Sequence, residues 1–582
     1  MDPGRGRQRS DLTVSADVPP ASPFKAAPRS RLPLGTALVW HLVSLAVGAI
    51  VLMYFNRGQW FFGDEWGFLV DRAITIGDKG LFAPHNEHWS TGPLLIYGAL
   101  FRAFGMASYA PYVAVLIALH LAVVHLMWRV MLRGGVVPWV ATVFCAAFIP
   151  FGPGAENLLW AFQIGFVGSV AFGLGYTLLV DHGGRLDRRD HIGWGVGVAG
   201  LTFSSITVPL VGMAAVAAWL RRGFPAFLAA VAVPAAAYLV WFLSVGGLSV
   251  QEDPPISTES LRLLPQFIMR AFSEILRWGT STPLVGLLAM AVTVGALVSR
   301  VRRGRPLPVA ALAGLVGAIL VTFVVAVVRS PHGLQIAEAT RYVYIGGALL
   351  LPLSVIGLSD FLGRRLVGVL LLGALAVPWG VHNALLLQEA AHAEADRERL
   401  IHEQIVAAAQ LVERSLVLRR LPEPVFSPNL HLAELELLEP QISEGIVPSP
   451  HAMIRAALSL QVSWTTTPEF TPPAAPEETR AFDATTAISP DGCLHAEPTG
   501  PKARLVLPLG EPFSLDVTSD VTRDLELLAS AQGIEPEYVI LFHMPEGVTR
   551  YLNVAIDETV TGEGSLIVRV PVRTTFCPVE AR

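Results

Sequence analysis

Charged residues are scarce in this sequence. They account for 15% of its 582 residues, whereas about 25% is usual for a soluble domain. The 42 Lys and Arg residues are outnumbered by 47 Asp and Glu residues, which gives a net charge of -5. Because nucleic-acid-binding domains carry basic surfaces, this balance excludes nucleic acid as an expected partner. The low charge also argues against an ordinary soluble protein.

Cysteine is equally rare, with three in the whole chain. They stand too far apart for the closely spaced ligands of a structural zinc site. Cys145 lies inside a hydrophobic run and is expected to be a small packing residue. Cys493 and Cys577 both fall in the C-terminal part, where they could form a disulfide if that part lies outside the cytoplasm.

Hydrophobic residues are abundant, at 52% of the chain. Apolar runs of ~20 residues recur through its first two thirds, and that length crosses a bilayer as a helix. A buried soluble core would explain one or two such runs, but about eleven indicate a polytopic membrane protein. The candidate spans are roughly 36–56, 111–132, 136–152, 158–180, 191–204, 206–220, 224–246, 282–299, 307–328, 342–360 and 366–384.

Basic residues in short loops predict the orientation, because Lys and Arg are retained on the cytoplasmic side. With eleven spans all basic clusters fall on one side, so the N-terminus is expected inside the cell and the C-terminus outside. Besides those of the N-terminal tail, the clusters are Arg129 with Arg133, Arg185 with Arg188 and Arg189, Arg221 with Arg222, Arg300 through Arg305, and Arg364 with Arg365.

Residues 191–220 allow two interpretations. Two short spans could meet at Ser204–Pro209, or one tilted helix could cover the whole stretch. A single helix would place the basic clusters before and after it on opposite sides of the membrane. The charge rule therefore favours a break, and a helix broken at that depth must line a cavity or be covered by protein.

Four regions follow from this division. Residues 1–35, rich in Arg, Pro and Ser, are expected to form a disordered cytoplasmic tail. Residues 36–384 form the transmembrane domain, whose first outer loop is 57–110. Residues 385–480 are a helical and then Pro-rich connector, and 481–582 form an extracytoplasmic domain. The fold class is thus an all-α polytopic membrane bundle of about eleven transmembrane helices, followed by a small C-terminal domain.

Short apolar or alternating runs separated by turn signals predict a β-sandwich-like fold for this C-terminal domain. It could be a structural module or could bind carbohydrate. The expected strands are Ala503–Pro508, Phe513–Val517, Tyr538–His543, Tyr551–Ile556 and Ser565–Val572.

A short polar segment, Gly63-Asp64-Glu65-Trp66, lies in the first outer loop a few residues after the first span. A carboxylate at the lipid–water boundary can take or orient the proton of an acceptor hydroxyl. Neighbours in sequence do not both point into one pocket from a regular strand, so one is expected to be catalytic and the other supportive. Asp64 is preferred over Glu65, and Trp66 is expected beside the substrate. The alternative is a solvated acidic turn with an interfacial Trp.

A second polar segment in the same loop contains His85, Asn86, Glu87, His88 and Trp89. These side chains could hold a polar substrate by hydrogen bonds. Two histidines flanking a carboxylate also resemble part of a metal site, although no third strong ligand is visible in the sequence. A divalent metal ion therefore remains an open possibility as a cofactor. The plainer interpretation is a polar loop with Trp89 anchored in the interface.

Polar residues also mark the outer end of the fourth span. Glu156, Trp160 and Gln163 are expected on one helix face with Asn157 adjacent. Because polar side chains in a membrane segment usually face the bundle interior or a cavity, these four could line a substrate pocket. Hydrogen bonding between helices is the alternative.

Arg341 stands at the expected outer start of a span and is followed by Tyr342. The planar guanidinium of an arginine there can bind phosphate with two parallel hydrogen bonds. The competing interpretation is that both residues simply anchor the helix end in the interface.

Taken together, four motifs resemble those of a largely actinobacterial group of membrane proteins that is similar to the GT-C glycosyltransferase superfamily. The resemblance covers about residues 36–384 and implies catalysis by an Asp of the first outer loop, which maps onto Asp64. It also implies a polyprenyl-phosphate sugar as donor and inversion at the anomeric carbon. The motifs are Gly63–Trp66, Pro84–Trp89, Glu156–Gln163 and Thr340–Tyr344.

The leading hypothesis is thus a multi-pass cell-membrane glycosyltransferase. It would move a sugar from the lipid donor to an envelope glycan, lipid or protein acceptor at the outer face of the bilayer. One rival is a transporter or flippase of a lipid-linked glycan. A transporter should show repeated halves and charges near mid-membrane, and no clear repeat is present. Another rival is a non-catalytic scaffold whose β domain binds envelope polymer.

Overall fold

The computed structural model describes residues 34–414, except 70–71, 73–79, 248–257 and 363–365, together with parts of 430–578. The predicted N-terminal tail and most of the Pro-rich part of the connector lie outside these described residues. Every one of the eleven candidate spans coincides with a helix. The helices are Leu34–Phe55, Ala110–Arg133, Pro138–Phe148, Ile164–Val180, Arg188–Leu201, Thr207–Arg222, Phe224–Ser244, Leu284–Arg302, Val309–Arg329, Thr340–Leu362 and Leu366–Arg414.

Within the described part of the chain, eight helices are long and apolar enough to cross a membrane. The expected count of eleven is therefore not confirmed by length. The three shorter helices are Pro138–Phe148, Arg188–Leu201 and Thr207–Arg222, with 11, 14 and 16 residues. At 1.5 Å per residue they are shorter than the ~30 Å hydrocarbon core.

The break expected at Ser204–Pro209 is present. Arg188–Leu201 and Thr207–Arg222 form a hairpin whose open end is closed by an ion pair between Arg222 and Asp190 at 2.6 Å. Its tip meets the first outer loop, where the Gly92 N–H donates to the Thr202 carbonyl at 2.9 Å. The two short helices therefore connect opposite ends of the bundle.

Several of the basic clusters meet at one end of the bundle. Arg133 and Arg221 both pair with the buried Asp181, and Arg300 pairs with Asp360 and donates to the Gly134 carbonyl at 2.7 Å. Residues of loop 57–110 contact the opposite end of helix Ala110–Arg133, where Phe61 packs on Tyr112 with ring centroids 4.9 Å apart. These arginines therefore lie together at one end of the bundle.

Among the described residues, four further α-helices accompany the eleven named above: Glu65–Leu69, Thr91–Phe104, Glu156–Leu159 and Thr258–Arg277. The last is strongly amphipathic and packs its buried Phe267, Ala271 and Ile275 against the bundle. The final helix extends far beyond its apolar half, to Arg414.

The C-terminal region forms two antiparallel sheets with eleven described strands. All five expected strands are present, with boundaries shifted by a few residues. The strands are β1 Val462–Thr465, β2 Arg480–Phe482, β3 Ala484–Ile488, β4 Leu494–Pro498, β5 Arg504–Pro508, β6 Phe513–Ser519, β7 Arg523–Ala531, β8 Glu537–Met544, β9 Arg550–Val554, β10 Gly564–Arg569 and β11 Thr574–Pro578.

One sheet has the order β1-β9-β6-β11-β4-β3 and the other β2-β5-β10-β7-β8. A disulfide joins Cys493, beside β4, to Cys577 in the neighbouring β11, as the sequence led us to expect. Cys145 is a free and buried thiol, which agrees with its predicted packing role.

Candidate functional site

Four polar segments that are distant in sequence converge at one end of the bundle. Phe62, beside the first segment, packs on Trp160 with ring centroids 4.8 Å apart. Segment 84–89 meets the start of helix Ile164–Val180 through His88 and Phe166, whose centroids are 5.6 Å apart. The fourth segment joins through Arg341. Segments that the sequence indicated separately therefore lie close together in the structure.

Glu65 is fully buried at the first turn of the short helix Glu65–Leu69. Its Oε1 accepts hydrogen bonds from the hydroxyls of Tyr97, at 2.5 Å, and Tyr109, at 2.9 Å. Its Oε2 accepts the backbone N–H of Phe62 at 3.0 Å. The carboxylate is thus directed into the protein and closes the turn that carries Asp64.

Burial raises the pKa of the Glu65 carboxyl to about 7, and the bonds from Tyr97, the Phe62 N–H and Tyr109 oppose this rise. Removal from water disfavours the ionised carboxylate, whereas donated hydrogen bonds favour it. The group is therefore balanced between its two charge states near neutral pH. Both of its oxygens are engaged by protein donors.

Asp64, one residue earlier, is only half-buried and lies on the turn before the helix. It is the one of the two adjacent carboxylates with access to the surface. Trp66, in contrast, has no exposed surface and packs against Trp60 at a centroid distance of 5.6 Å. Its expected place beside a substrate is not what the structure shows, because helix formation from Glu65 turns the indole into the core.

Residues 85–88 form a tight turn. The His85 N–H donates to the His88 carbonyl and the reverse bond is also made, both at 3.0 Å. Asn86 takes the left-handed conformation with φ 49°, which Asn tolerates better than most residues. Because paired residues across such a turn project to the same face, both imidazoles point toward the bundle. His85 packs on Phe162, with centroids 5.5 Å apart.

Burial and the nearby charge of Arg341 lower the pKa of His88 to about 4, so its imidazole is neutral at pH 7. The adjacent Glu87 carboxylate pairs with Arg329. Neutral imidazoles suit metal binding. Within the described residues, however, the His, Cys, Asp and Glu side chains close enough to share an ion are His182, Asp187 and Asp190, and these lie at the other end of the bundle.

Trp89, the last residue of the second segment, is a packing residue. Its ring is stacked on Trp241, with centroids 5.3 Å apart and planes 3° apart. Its indole N–H donates to the Thr91 hydroxyl at 2.8 Å. With 8% of its surface exposed, it holds the loop against helix Phe224–Ser244.

The expected helix face of Glu156, Trp160 and Gln163 is wrong in detail. Glu156–Leu159 is a single helical turn, Trp160 is extended with φ -103° and ψ 112°, and a 3₁₀ turn precedes the long helix. The packing of Trp160 on Phe62 and Phe162 accompanies this break. Even so, the Gln163 amide still reaches the Glu156 carboxylate at 3.3 Å.

Glu156 holds Arg341 at 2.6 Å and accepts the Thr340 hydroxyl at 3.3 Å. About a quarter of the Glu156 side chain and a third of the Arg341 side chain are exposed, at 23% and 31%. The guanidinium is therefore fixed in orientation while keeping accessible surface. Asn157 is fully buried behind this pair and donates to Gln163 at 3.4 Å.

Tyr342, at 8% exposure, lies mostly inside the protein. Its ring contacts Phe166, with centroids 6.3 Å apart, and the Arg341 guanidinium lies 5.4 Å from its centroid. It supports the arginine from the apolar side and lines a small cavity under the amphipathic helix Thr258–Arg277.

Three residues that support the Asp64 turn were not predicted from the sequence. Tyr97 and Tyr109 lie in or beside apolar helices, where tyrosine is common as an interfacial anchor. Glu398, which is 2% exposed, accepts the Trp60 N–H at 2.6 Å, yet it lies in a charged stretch typical of a solvated helix. The sequence feature that could have indicated its role is its position on the same helix face as Ala391 and Ala395.

No family model matches this chain, and no curated protein matches it either.

Proposed function

We propose that the chain is a membrane glycosyltransferase that moves a sugar from a polyprenyl-phosphate donor to a cell-envelope acceptor at the outer face of the bilayer. The single observation that carries this proposal is the meeting of a half-buried carboxylate loop with a fixed, partly exposed arginine at the end of an apolar helical bundle. Transfer from a lipid phosphate needs both a proton acceptor and a cation near the membrane surface.

In the proposed reaction the Asp64 carboxylate takes the proton of the acceptor hydroxyl. The acceptor oxygen attacks the anomeric carbon from the face opposite the phosphate, and a new C–O bond forms. The bond between that carbon and the phosphate oxygen breaks, and the phosphate leaves with the electron pair. Attack from the opposite face inverts the anomeric centre. Glu65 serves as a supporting residue, because its oxygens are engaged by two tyrosines and a backbone N–H.

Arg341 is proposed to stabilise the departing phosphate, since its guanidinium presents several donors in a plane. One of its nitrogens is engaged by Glu156, which fixes the fork without using all its donors. His88, neutral at pH 7, is a hydrogen-bonding group for the sugar or phosphate.

The proposed orientation places the N-terminus in the cytoplasm and the C-terminal domain outside. Basic residues collect at the bundle end opposite Asp64, the end that the charge rule assigns to the cytoplasm. The first outer loop and residues 391–402 contact each other directly. The disulfide between Cys493 and Cys577 is also typical of an oxidising compartment.

The proposal is tested with purified protein in detergent, a panel of radiolabelled polyprenyl-phosphate sugars, and envelope glycans, lipids and proteins as acceptors. We expect release of label from one donor, its appearance on an acceptor, and an inverted linkage by nuclear magnetic resonance. In proteoliposomes, movement of the intact lipid-linked sugar across the bilayer without cleavage would identify a transporter instead. Binding of envelope polymer with neither cleavage nor movement would favour the scaffold.

A further inference from the structure

The final helix contacts the first outer loop along one face. Four of its residues recur at intervals of four, three and four, which places them on a single stripe of the helix. Each touches the segment just before Asp64. The stripe consists of Ala391, Ala395, Glu398 and His402, and the residues they contact are Gln59, Gly58 and Trp60.

The contacts in this interface are close and varied. The Gln59 amide donates to the Ala391 carbonyl at 3.0 Å, and the His402 ring stacks on Trp60, with centroids 3.4 Å apart and planes 9° apart. A Cβ on Gly58 would lie 2.8 Å from the Cβ of Ala395. A larger residue at position 58 would therefore require a small shift of the loop away from the helix.

Glu398 is the polar centre of the interface. Its carboxylate is almost fully buried and accepts the Trp60 backbone N–H at 2.6 Å. A buried carboxylate is costly unless it is hydrogen-bonded, so this contact also fixes where the helix and the loop meet. The next residue toward the N-terminus, Arg397, lies over the Phe62 ring at 4.7 Å from its centroid.

These contacts lead directly to the proposed catalytic turn. The Phe62 N–H donates to Glu65, and Gly63 and Asp64 lie between these two residues. Trp60 lies four positions and Phe62 two positions before Asp64 in the chain, so a shift of either residue also moves Asp64. The His402 ring also donates to the Ile442 carbonyl at 2.7 Å. The connector around Ile442 therefore contacts the same helix.

We propose that residues 391–402, beyond the last span, form a wall of the active site, and that Glu398 is a positioning residue that sets the place of Asp64. This inference rests on the proposed function, since it assigns Glu398 a part in that same transfer. It gives the connector a function that its charged, helix-prone sequence does not suggest.

The kinetic test compares Glu398→Leu with Glu398→Gln, which keeps an acceptor for the Trp60 N–H. Misplacement of a catalytic group by about 1 Å costs about 10²-fold in rate. We expect Glu398→Leu to lower kcat by about that factor with little change in donor KM, and Glu398→Gln to stay within about threefold of wild type. Glu389→Leu, at an exposed position of the same helix, is the matched control and should leave kcat unchanged. Equal kcat for Glu398→Leu and wild type would overturn the proposal.

A second test does not depend on enzymatic activity. In the double variant with Gly58→Cys and Ala395→Cys, the two Cβ atoms lie close enough for a disulfide after a small shift. We expect a linked peptide by mass spectrometry without reductant, and no link in the control pair of Gly80→Cys with Ala395→Cys. Absence of the link in the first pair would overturn the proposal that residues 391–402 form this wall. If the double variant forms the link while the wild-type protein transfers no sugar from any donor, the contact between loop and helix stands and only the proposed function is refuted.

Discussion

The Tyr109 hydroxyl donates to the Glu65 carboxylate at 2.9 Å. The Tyr109 hydroxyl oxygen also accepts the Ala161 backbone N–H at 2.7 Å. One side chain thereby joins the turn that carries Asp64 to the segment that carries Glu156 and Gln163. The two halves of the candidate site are held together by this hydroxyl, although the residues concerned are far apart in sequence.

Replacing Tyr109 by Phe removes both bonds and leaves the buried Ala161 N–H without that acceptor. We expect a loss of about 1–3 kcal/mol in the free energy of unfolding, seen as a lower midpoint in thermal unfolding in detergent. Tyr54→Phe, with a ring that is 53% exposed, is the control and should unfold like wild type. An unchanged midpoint for Tyr109→Phe would mean that the bridge contributes nothing.

Glu65 should make stability depend on pH. Its pKa in the folded protein, about 7, lies above its ordinary value of 4.5, so folding favours the protonated carboxyl. This contribution is fully present below pH 4.5 and is lost as the pH rises to about 7; in total it amounts to up to about 3 kcal/mol. We expect the stability of wild type relative to Glu65→Gln to fall between pH 5 and 8. A difference that stays constant with pH would contradict the burial of an ionisable Glu65.

Arg341 and Glu156 should act as a unit in donor binding. We expect Arg341→Ala to lower kcat/KM for the donor about 10²-fold, and Glu156→Gln to lower it about tenfold, because the guanidinium loses the partner that orients it. The double variant should be no worse than Arg341→Ala alone, since coupled residues are not additive. Arg270→Ala removes a 49% exposed cation and is the control. Fully additive losses would show that Glu156 does not act through Arg341.

The disulfide should stabilise the β region alone. Cys493 and Cys577 are 84 residues apart, and closing a loop of that length stabilises a fold by about 2–4 kcal/mol. We expect Cys493→Ala with Cys577→Ala to make the C-terminal sheets more susceptible to limited proteolysis while the helical bundle resists as before. Cys145→Ala is the comparison variant. Equal susceptibility of both variants to proteolysis would show that the disulfide does not stabilise the β region.

Much of the bundle could be predicted, because apolar runs of ~20 residues have few alternatives to a helix in a membrane protein. The break near Ser204 was also predictable, since the basic clusters around residues 185–189 and 221–222 had to share one side. The extended backbone at Trp160 was not predictable, because it accompanies packing of the Trp160 ring on Phe62 and Phe162. Such a contact depends on the tertiary structure and leaves no local signal in the sequence.

The sequence indicated the segments that meet in the candidate site, but not the surroundings of their side chains. Asp64 and Glu65 look equivalent in the sequence, and only the hydroxyls of Tyr97 and Tyr109, which come from other parts of the chain, turn Glu65 inward. Six of the eleven described strands were not predicted: β1, β2, β3, β4, β7 and β11. All of these except β7 have only three to five residues, which leaves little room for an alternating pattern.

Transfer by the Asp64→Asn variant tests the central claim most directly. With the donor that wild type uses, we expect Asp64→Asn to lower kcat about 10²–10⁴-fold, as loss of a general base does, while the donor still binds. Glu389→Gln removes an exposed carboxylate from the last helix, before the proposed wall, and should transfer sugar like wild type. Transfer at the wild-type rate by Asp64→Asn would contradict the account and move the chemistry away from the first outer loop.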